Sequence, residues 1–233
     1  MTDTDARTTL ISLLHGVEKF NREVFPQNRE LFAELAGQQS PSTLFIACAD
    51  SRVNPSMITQ TQPGDLFVLR NIGNIVPAYG EMLGGVSSAI EYAVLALGVS
   101  HIIVCGHSDC GAMKALLDPD PTKLAKMPTV ASWLRNAEAA RAVAGALQAT
   151  DAGPQSVRSL AEQNVLLQIA HLRTHPAVAA ALARNELILQ GWFYDIASGE
   201  VVVLDEATRS SIHVDEAIAR LLGAGQAAAP ATA

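Results

Sequence analysis

The chain has 233 residues, which is enough for one α/β domain with a substantial core and short for two domains. Its net charge of −7 argues against nucleic acid or an anionic membrane as the main partner, because both require a basic surface. An apolar fraction of 49% excludes intrinsic disorder for most of the chain. The low charged fraction of 17% indicates surface buried between subunits, or reflects the alanine content.

The compartment is predicted from the N-terminus and from the cysteines. No apolar run reaches the roughly 18 residues of a membrane span. The N-terminal segment begins acidic and is interrupted by charges, so it does not resemble a secretory signal. Three cysteines are an odd, sparse number, typical of free thiols or metal ligands rather than disulfides. We therefore expect a cytoplasmic protein that does not bind membranes.

Residues 7–36 carry apolar side chains at roughly helical spacing, which predicts a helical arm with a break at Pro26. Four short apolar runs then predict buried strands at Thr43–Cys48, Asp65–Leu69, His101–Cys105 and Leu187–Tyr194. Helical patterns lie between these strands, at residues 84–97, 112–117, 159–172 and 176–183, with a surface helical excursion within 118–154.

The Ser198-Gly199 turn predicts a hairpin from the fourth strand into Val201–Leu204. Buried strands that alternate with helices indicate an α/β fold with a mostly parallel central sheet of four strands. We expect helices on both faces of this sheet and an antiparallel edge strand formed by the hairpin. The predicted organisation is a single domain over residues 1–222, which includes the arm, and a disordered tail over 223–233.

Two of the predicted parallel strands end in residues that ligate metals. The first ends in Cys48-Ala-Asp-Ser-Arg52, and the third is followed by His107-Ser-Asp-Cys110. If these strands are neighbours, their carboxyl ends meet and the two cysteines converge with the histidine. Such a Cys₂His set is typical of catalytic zinc, which keeps a fourth position open, although Asp50 could also fill that place. Cys105 lies within a strand and is interpreted as a core residue.

The combined motifs resemble those of the β-class carbonic anhydrases. The segments that carry the resemblance are Ala47–Arg52, Pro63–Asn71, Gly84–Tyr92, Gly106–Gly111, Glu162–Val165 and Gly191–Asp195. The resemblance implies one Zn²⁺ per subunit, held by Cys48, His107 and Cys110. It implies reversible hydration of CO₂ to bicarbonate and a proton by zinc-bound hydroxide. Asp50 would orient the nucleophile, and Arg52 would hold that carboxylate ionised.

The resemblance further implies a pocket for CO₂ and bicarbonate with the candidate residues Gln39, Phe67, Ile72, Tyr92 and Gly111. Gln39, Phe67 and Tyr92 match the plant-like subgroup with an open metal site. Ile72 would add an apolar wall, and the Gly111 backbone N–H is a second candidate donor to bicarbonate. Phe45 stands where a bicarbonate-gated subgroup has tryptophan. In the family the pocket is partly supplied by a neighbouring subunit, which implies a homodimer or a higher even-numbered homo-oligomer.

Two other functions remain open at this point. One is hydrolysis of carbonyl sulfide or carbon disulfide on the same scaffold, since only the pocket or its access route would differ. The other is a catalytically silent, zinc-stabilised scaffold protein. The Asp50–Arg52 pair and the open fourth position disfavour the silent protein.

Overall fold

The computed structural model describes residues 3–148 and 157–227, and the chain divides into two compact units, Met1–Gln39 and Ser40–Ala233. The described part of the first unit is helical from Asp3 to Leu35, apart from a turn at Asn28. Its segments are α1 (Asp3–Lys19), a π-helical turn (Phe20–Val24), α2 (Phe25–Gln27) and α3 (Arg29–Leu35). The helical arm predicted over residues 7–36 is therefore confirmed, and it begins earlier than expected.

The break predicted at Pro26 is wrong. The chain remains helical through this residue, which occupies the first turn of α2, and the interruption comes at Asn28 with φ −114° and ψ 19°. A first-turn residue needs no N–H donor, so proline is tolerated there. Phe20, Phe25 and Phe32 form a cluster with ring centroids 5.3–6.1 Å apart, which packs α3 against the preceding helix.

The second unit is built on a six-stranded sheet. Its strands are β1 (Thr43–Cys48), β2 (Leu66–Asn71), β3 (His101–His107), β4 (Ile188–Tyr194), β5 (Val201–Leu204) and β6 (Ser211–His213). The order is β2-β1-β3-β4-β5-β6, with the first four strands parallel. The parallel core and antiparallel β5 are confirmed, but β5 is not the edge strand, since β6 pairs outside it. The three residues of β6 contain one apolar side chain, too little for a strand pattern.

The site lies where the strand order reverses. From β1 the chain passes to β2 on one side and then crosses to β3 on the other side. In open α/β sheets such a switch point leaves a crevice at the carboxyl ends of the strands, where ligands bind. The register pairs Ala47 with Cys105, so β1 and β3 end beside each other.

Helices cover both faces of the sheet, as predicted. They are α4 (Pro55–Thr59), α5 (Gly85–Leu95), α6 (Gly111–Leu117), α7 (Pro121–Ala125), α8 (Pro128–Leu134), α9 (Glu138–Gln148), α10 (Val157–Leu172), α11 (Pro176–Ala183) and α12 (Val214–Ala227). The larger core joins one face to the helices α5, α6, α9, α10 and α11. On the other face Phe45 and Cys105 form a smaller cluster, to which Ile58 of α4 contributes.

Helix α10 packs unusually close to the sheet. A Cβ added at Gly106 of β3 would lie 2.7 Å from Val165 Cγ2, and one at Gly191 of β4 would lie 2.7 Å from Val165 Cγ1. The valine thus occupies the space that side chains on β3 and β4 would need. This contact fixes α10 against the strand that ends at His107.

The C-terminal boundary differs from the prediction. Helix α12 continues to Ala227, so residues 223–227 of the predicted disordered tail are helical. The apolar positions Ile218 and Leu221 precede them at helical spacing. The remaining tail, residues 228–233, lies outside the described residues. None of the helices within the described ranges has the length and apolar composition needed to cross a membrane.

Candidate metal centre

Two strand ends and one tight turn build the centre. Cys48 is the last residue of β1 and His107 is the last residue of β3. Asp109 then takes a left-handed backbone conformation with φ +59°, which turns the chain back sharply. Cys110 consequently caps the N-terminus of α6 and lies beside the other two side chains.

The side-chain donor atoms of Cys48, His107 and Cys110 all lie within 4.8 Å of one another. Their exposed fractions are 6%, 0% and 1%. His107 Nδ1 lies 2.8 Å from the Ser108 carbonyl and donates to it, which leaves the lone pair on Nε2. This Nε2 is buried and has no hydrogen-bond partner among the described residues. A buried nitrogen acceptor beside two thiols fits a thiophilic cation such as Zn²⁺.

The thiols of Cys48 and Cys110 lie close enough to shift each other's pKa. The neighbouring Cys110 thiol lowers the pKa of Cys48 well below its usual value, and the Gly73 N–H, 3.4 Å from Cys48 Sγ, contributes to the lowering. The pKa of Cys110 is raised well above its usual value, chiefly by the neighbouring Cys48 thiol and then by burial. A divalent cation bound here would hold both sulfurs as thiolates.

Cys105 differs from both other cysteines. Side chains alternate between the faces of a sheet, and Cys105 belongs to the smaller cluster, whereas Cys48 and Cys110 belong to the larger core. Burial raises the pKa of Cys105 to about 12. An apolar setting of this kind makes a thiol inert, which agrees with its interpretation as a core residue.

Asp50 and Arg52 form a bidentate ion pair next to the ligands. The Arg52 side chain donates from Nε to Asp50 Oδ1 at 2.9 Å and from Nη2 to Oδ2 at 2.8 Å. The Arg52 backbone N–H also donates to Oδ1, at 3.0 Å. These hydrogen bonds hold the pKa of Asp50 well below its usual range. Asp50 Oδ2 lies 4.0 Å from His107 Nε2, so the carboxylate faces the metal centre.

Three further residues support this pair, and of these Lys114 was not singled out from the sequence. Arg70, near the end of β2, donates to the Cys48 carbonyl at 3.0 Å and to the Asp50 carbonyl at 2.6 Å. Asp109 accepts from Arg52 Nη1 at 3.1 Å and also pairs with Lys114.

The predicted pocket residues are not all near the thiols. Phe67 and Tyr92 contact each other with ring centroids 6.0 Å apart. Phe67 pairs in register with Leu44, four residues before Cys48, which is about 13 Å along the strand. Ile72 is next to Gly73 and is exposed, and Gly111 follows Cys110 at the start of α6. Gln39 ends the first unit and is exposed.

This combination defines a class of protein. A structural zinc site is closed by four protein ligands, whereas three ligands in a crevice at the sheet edge leave a position for a reactant. Among the described residues, the cluster of potential metal ligands contains three members, with a fixed carboxylate beside it. The fold and the site therefore define an α/β protein with a candidate metal centre of the kind that catalytic zinc sites use.

Comparison with known proteins identifies the family. The family model described as carbonic anhydrase matches residues 43–201. A carbonic anhydrase from Pseudomonas aeruginosa is 49% identical over 204 residues, 88% of this chain and 91% of the relative. The solved structure of the β-carbonic anhydrase CcaA is 42% identical with a TM-score of 0.84, covering 88% of this chain and 92% of that one.

A second solved structure, one of two tetrameric β-carbonic anhydrases from the ascomycete Sordaria macrospora, is 33% identical with a TM-score of 0.74. It covers 84% of this chain and 97% of its own. The chain belongs to the β-carbonic anhydrase family, and it is an enzyme of that family.

Proposed function

We propose that the chain binds one Zn²⁺ per subunit through Cys48, His107 and Cys110 and catalyses the reversible hydration of CO₂ to bicarbonate and a proton. The observation that carries this proposal is the buried Nε2 of His107, which has no hydrogen-bond partner in the described part of the chain and lies within 4.8 Å of both thiol sulfurs. Family membership supplies the reaction. Neither a carbonyl sulfide or carbon disulfide hydrolase nor a silent scaffold protein has an observation in its favour.

Zinc held there supplies a Lewis acid that makes a water molecule acidic enough to act as a nucleophile near neutral pH. The role of Asp50 is to orient that water. Its carboxylate is ionised because Arg52 donates hydrogen bonds to it from Nε and Nη2, which form one edge of the guanidinium. Its Oδ2 faces His107 Nε2. An ionised carboxylate accepts a hydrogen bond and so directs the oxygen lone pair toward CO₂.

The fourth position on the metal is open to either water or Asp50. The bidentate pair with Arg52 favours the free carboxylate, and it supports the plant-like state in which Asp50 stays off the metal. Arg52→Ala is therefore expected to lower the rate of CO₂ hydration while zinc is retained. A structure at pH 8 with Asp50 ligating zinc in every subunit would contradict the open state, but not the three-ligand set.

The active site is proposed to be completed by a second copy of the chain. Phe67 and Tyr92 contact each other far along the sheet from Cys48, and Tyr92 is half exposed. Residues at this distance from their own metal centre contribute to catalysis when they line the metal centre of a neighbouring subunit. Gln39, Ile72 and Gly111 are the other proposed contacts to bicarbonate or CO₂, and the arm over 7–36 is proposed to pack on the neighbour. The assembly is a homodimer or a higher even-numbered homo-oligomer in the cytoplasm.

The test combines metal quantitation with stopped-flow CO₂ hydration. The unaltered chain should contain one zinc per subunit and hydrate CO₂ faster than it hydrolyses carbonyl sulfide or carbon disulfide. Cys48→Ala should lose both zinc and activity, whereas the matched control Cys105→Ala should retain both. Zinc-loaded protein without CO₂ hydration would refute the proposal, and so would full zinc and full rate in Cys48→Ala.

A further inference from the structure

Helix α8 brings a tryptophan to the loop that follows β2. Trp133 lies in the last turn of this helix and packs against the larger core. Its indole Nε1 donates to the Ile72 carbonyl at 2.8 Å. The proposed hydration of CO₂ assigns no role to this tryptophan, although the loop that it contacts lies beside a proposed metal ligand.

The carbonyl that Trp133 holds belongs to the peptide group that faces the metal centre. This peptide joins Ile72 to Gly73, so it carries the Ile72 C=O and the Gly73 N–H. The Gly73 N–H donates to Cys48 Sγ, 3.4 Å away. A trans peptide group is planar, and its C=O and N–H point in opposite directions within that plane. A bond that fixes the direction of the carbonyl therefore also fixes the direction of the N–H.

This peptide needs an anchor because the residue that follows it is glycine. The φ of Gly73 is +76°, and a Cβ there would lie 3.0 Å from Ala112 Cβ and 3.3 Å from Met113 Cε. The position thus requires glycine, whose backbone torsions are the least restricted of any residue. Asn164 Nδ2 donates to the Gly73 carbonyl at 3.0 Å, but that carbonyl belongs to the next peptide group. Trp133 holds the peptide group that carries the N–H.

The indole is itself held firmly in place. Leu134, the next residue of α8, is buried in the larger core. Asn136 Nδ2 donates to the Trp133 carbonyl at 2.9 Å. The indole ring turns about two side-chain torsions, so little further freedom is lost when its N–H is fixed. Trp133 can therefore impose an orientation on the loop.

We propose that Trp133 is a positioning residue for the metal centre, whose indole N–H holds the Ile72 carbonyl so that the N–H of the same peptide group donates to the Cys48 thiolate. The inference rests on the proposed metal site and adds a residue that tunes it. An N–H···S hydrogen bond withdraws electron density from a thiolate and weakens its donation to a metal. Without the indole N–H this peptide group turns, and Cys48 becomes the stronger donor.

The experiment uses the Co²⁺-substituted protein, whose sulfur-to-cobalt charge-transfer absorption reports the donor strength of the thiolates. Trp133→Phe removes the indole N–H and keeps an aromatic ring. A stronger thiolate donor has a higher-energy lone pair, so we expect this band to move to longer wavelength. The matched control is Trp192→Phe, which removes an indole N–H that donates to Gln190 Oε1 at 2.9 Å, in the smaller cluster on the other face of the sheet. It should leave the band in place.

A second variant separates the hydrogen bond from the packing of the ring. Replacement of Trp133 by its benzothienyl analogue keeps the fused rings and puts a sulfur atom where the indole has its N–H. This protein should show the same shift to longer wavelength as Trp133→Phe. Because the analogue has nearly the shape of tryptophan, it also provides the test if Trp133→Phe fails to fold.

The possible outcomes separate this inference from the proposed function. An unaltered chain that binds no cobalt would overturn the metal site and this inference with it. If the unaltered chain shows the band, a benzothienyl variant with the band unmoved or at shorter wavelength would overturn the inference alone. A shift seen only in Trp133→Phe would then reflect packing. An equal shift in Trp192→Phe would also overturn the inference, because the effect would not be specific to the loop beside Cys48.

Discussion

Gly106→Ala tests how closely helix α10 must approach the strand that carries a metal ligand. The new Cβ would lie 2.7 Å from Val165 Cγ2 and 3.4 Å from the Ala161 carbonyl oxygen. The other methyl carbon of Val165 packs closely over Gly191, so rotation of the side chain would give up that contact. Its χ1 is also restricted by the β-branch. The clash is relieved only if α10 and β3 separate.

The size of the effect follows from the kind of clash. Adding a methylene-sized group to a well-packed core costs about 1–3 kcal/mol. In a protein of this length each kcal/mol lowers the unfolding temperature by roughly 2–4 °C. We therefore expect Gly106→Ala to lower the unfolding temperature by about 2–12 °C. Retention of zinc against a chelator should weaken as well, since His107 follows the altered residue.

The assay is thermal unfolding at fixed protein and zinc concentrations, because both affect the apparent stability. Val165→Ala alone should destabilise by creating a cavity. In the double variant the new methyl group occupies the vacated space, so the two losses should fall short of additivity by about 1 kcal/mol or more. Gly85→Ala is the control, since nothing lies within 4 Å of its Cβ position. Strictly additive losses, or a native-like unfolding temperature for Gly106→Ala, would refute the reasoning.

Three further predictions concern the site and the arm. Cys110→Ala should strip zinc and abolish activity together, as measured by metal analysis and stopped-flow hydration; retention of full zinc would contradict its role as a ligand. Asp50→Asn should keep zinc but slow CO₂ hydration by roughly a hundredfold, because a neutral amide accepts a hydrogen bond from the water more weakly than a carboxylate does; an unchanged rate would exclude an orienting role. Deletion of residues 7–36 should give a less soluble and less active protein by light scattering and assay; a fully active monomer would contradict both the packing of the arm and the shared active site.

The sequence was sufficient to predict the fold class and the convergence of the metal-ligand candidates. Continuous apolar runs indicate buried parallel strands, and neighbouring parallel strands bring their ends together. This geometry places Cys48 beside His107 without knowledge of distant contacts. The same local reasoning missed β6, whose residues show no strand pattern, and misplaced the break of the arm at Pro26, because the tolerance of a helix for proline depends on its position within the turn.

The supporting contacts could not be predicted in the same way. Asn164 and Gly73 are separated by 91 positions, and their hydrogen bond depends on the register of α10 over β3. That register depends on a valine fitting over two glycines from different strands. No periodicity in the sequence encodes such a relation. The best indication in the sequence is the presence of amide side chains on a helix that is buried on all sides, since each buried amide needs a hydrogen-bond partner.

The strands β1, β2 and β3 contribute to the site in different ways. The ends of β1 and β3, together with the turn that follows β3, supply the three side chains that would hold zinc. The end of β2 supplies none of these three side chains, but Arg70, near that end, donates hydrogen bonds to the backbone carbonyls of Cys48 and Asp50. A hydrogen bond from a distant side chain to one of these carbonyls restricts the motion of the loop, and this loop carries a functional group. With only three protein ligands, the geometry of the centre depends on the residues that hold the ligand-bearing backbone in place. We expect substitutions of these supporting residues to alter the properties of the bound metal before they cause its loss.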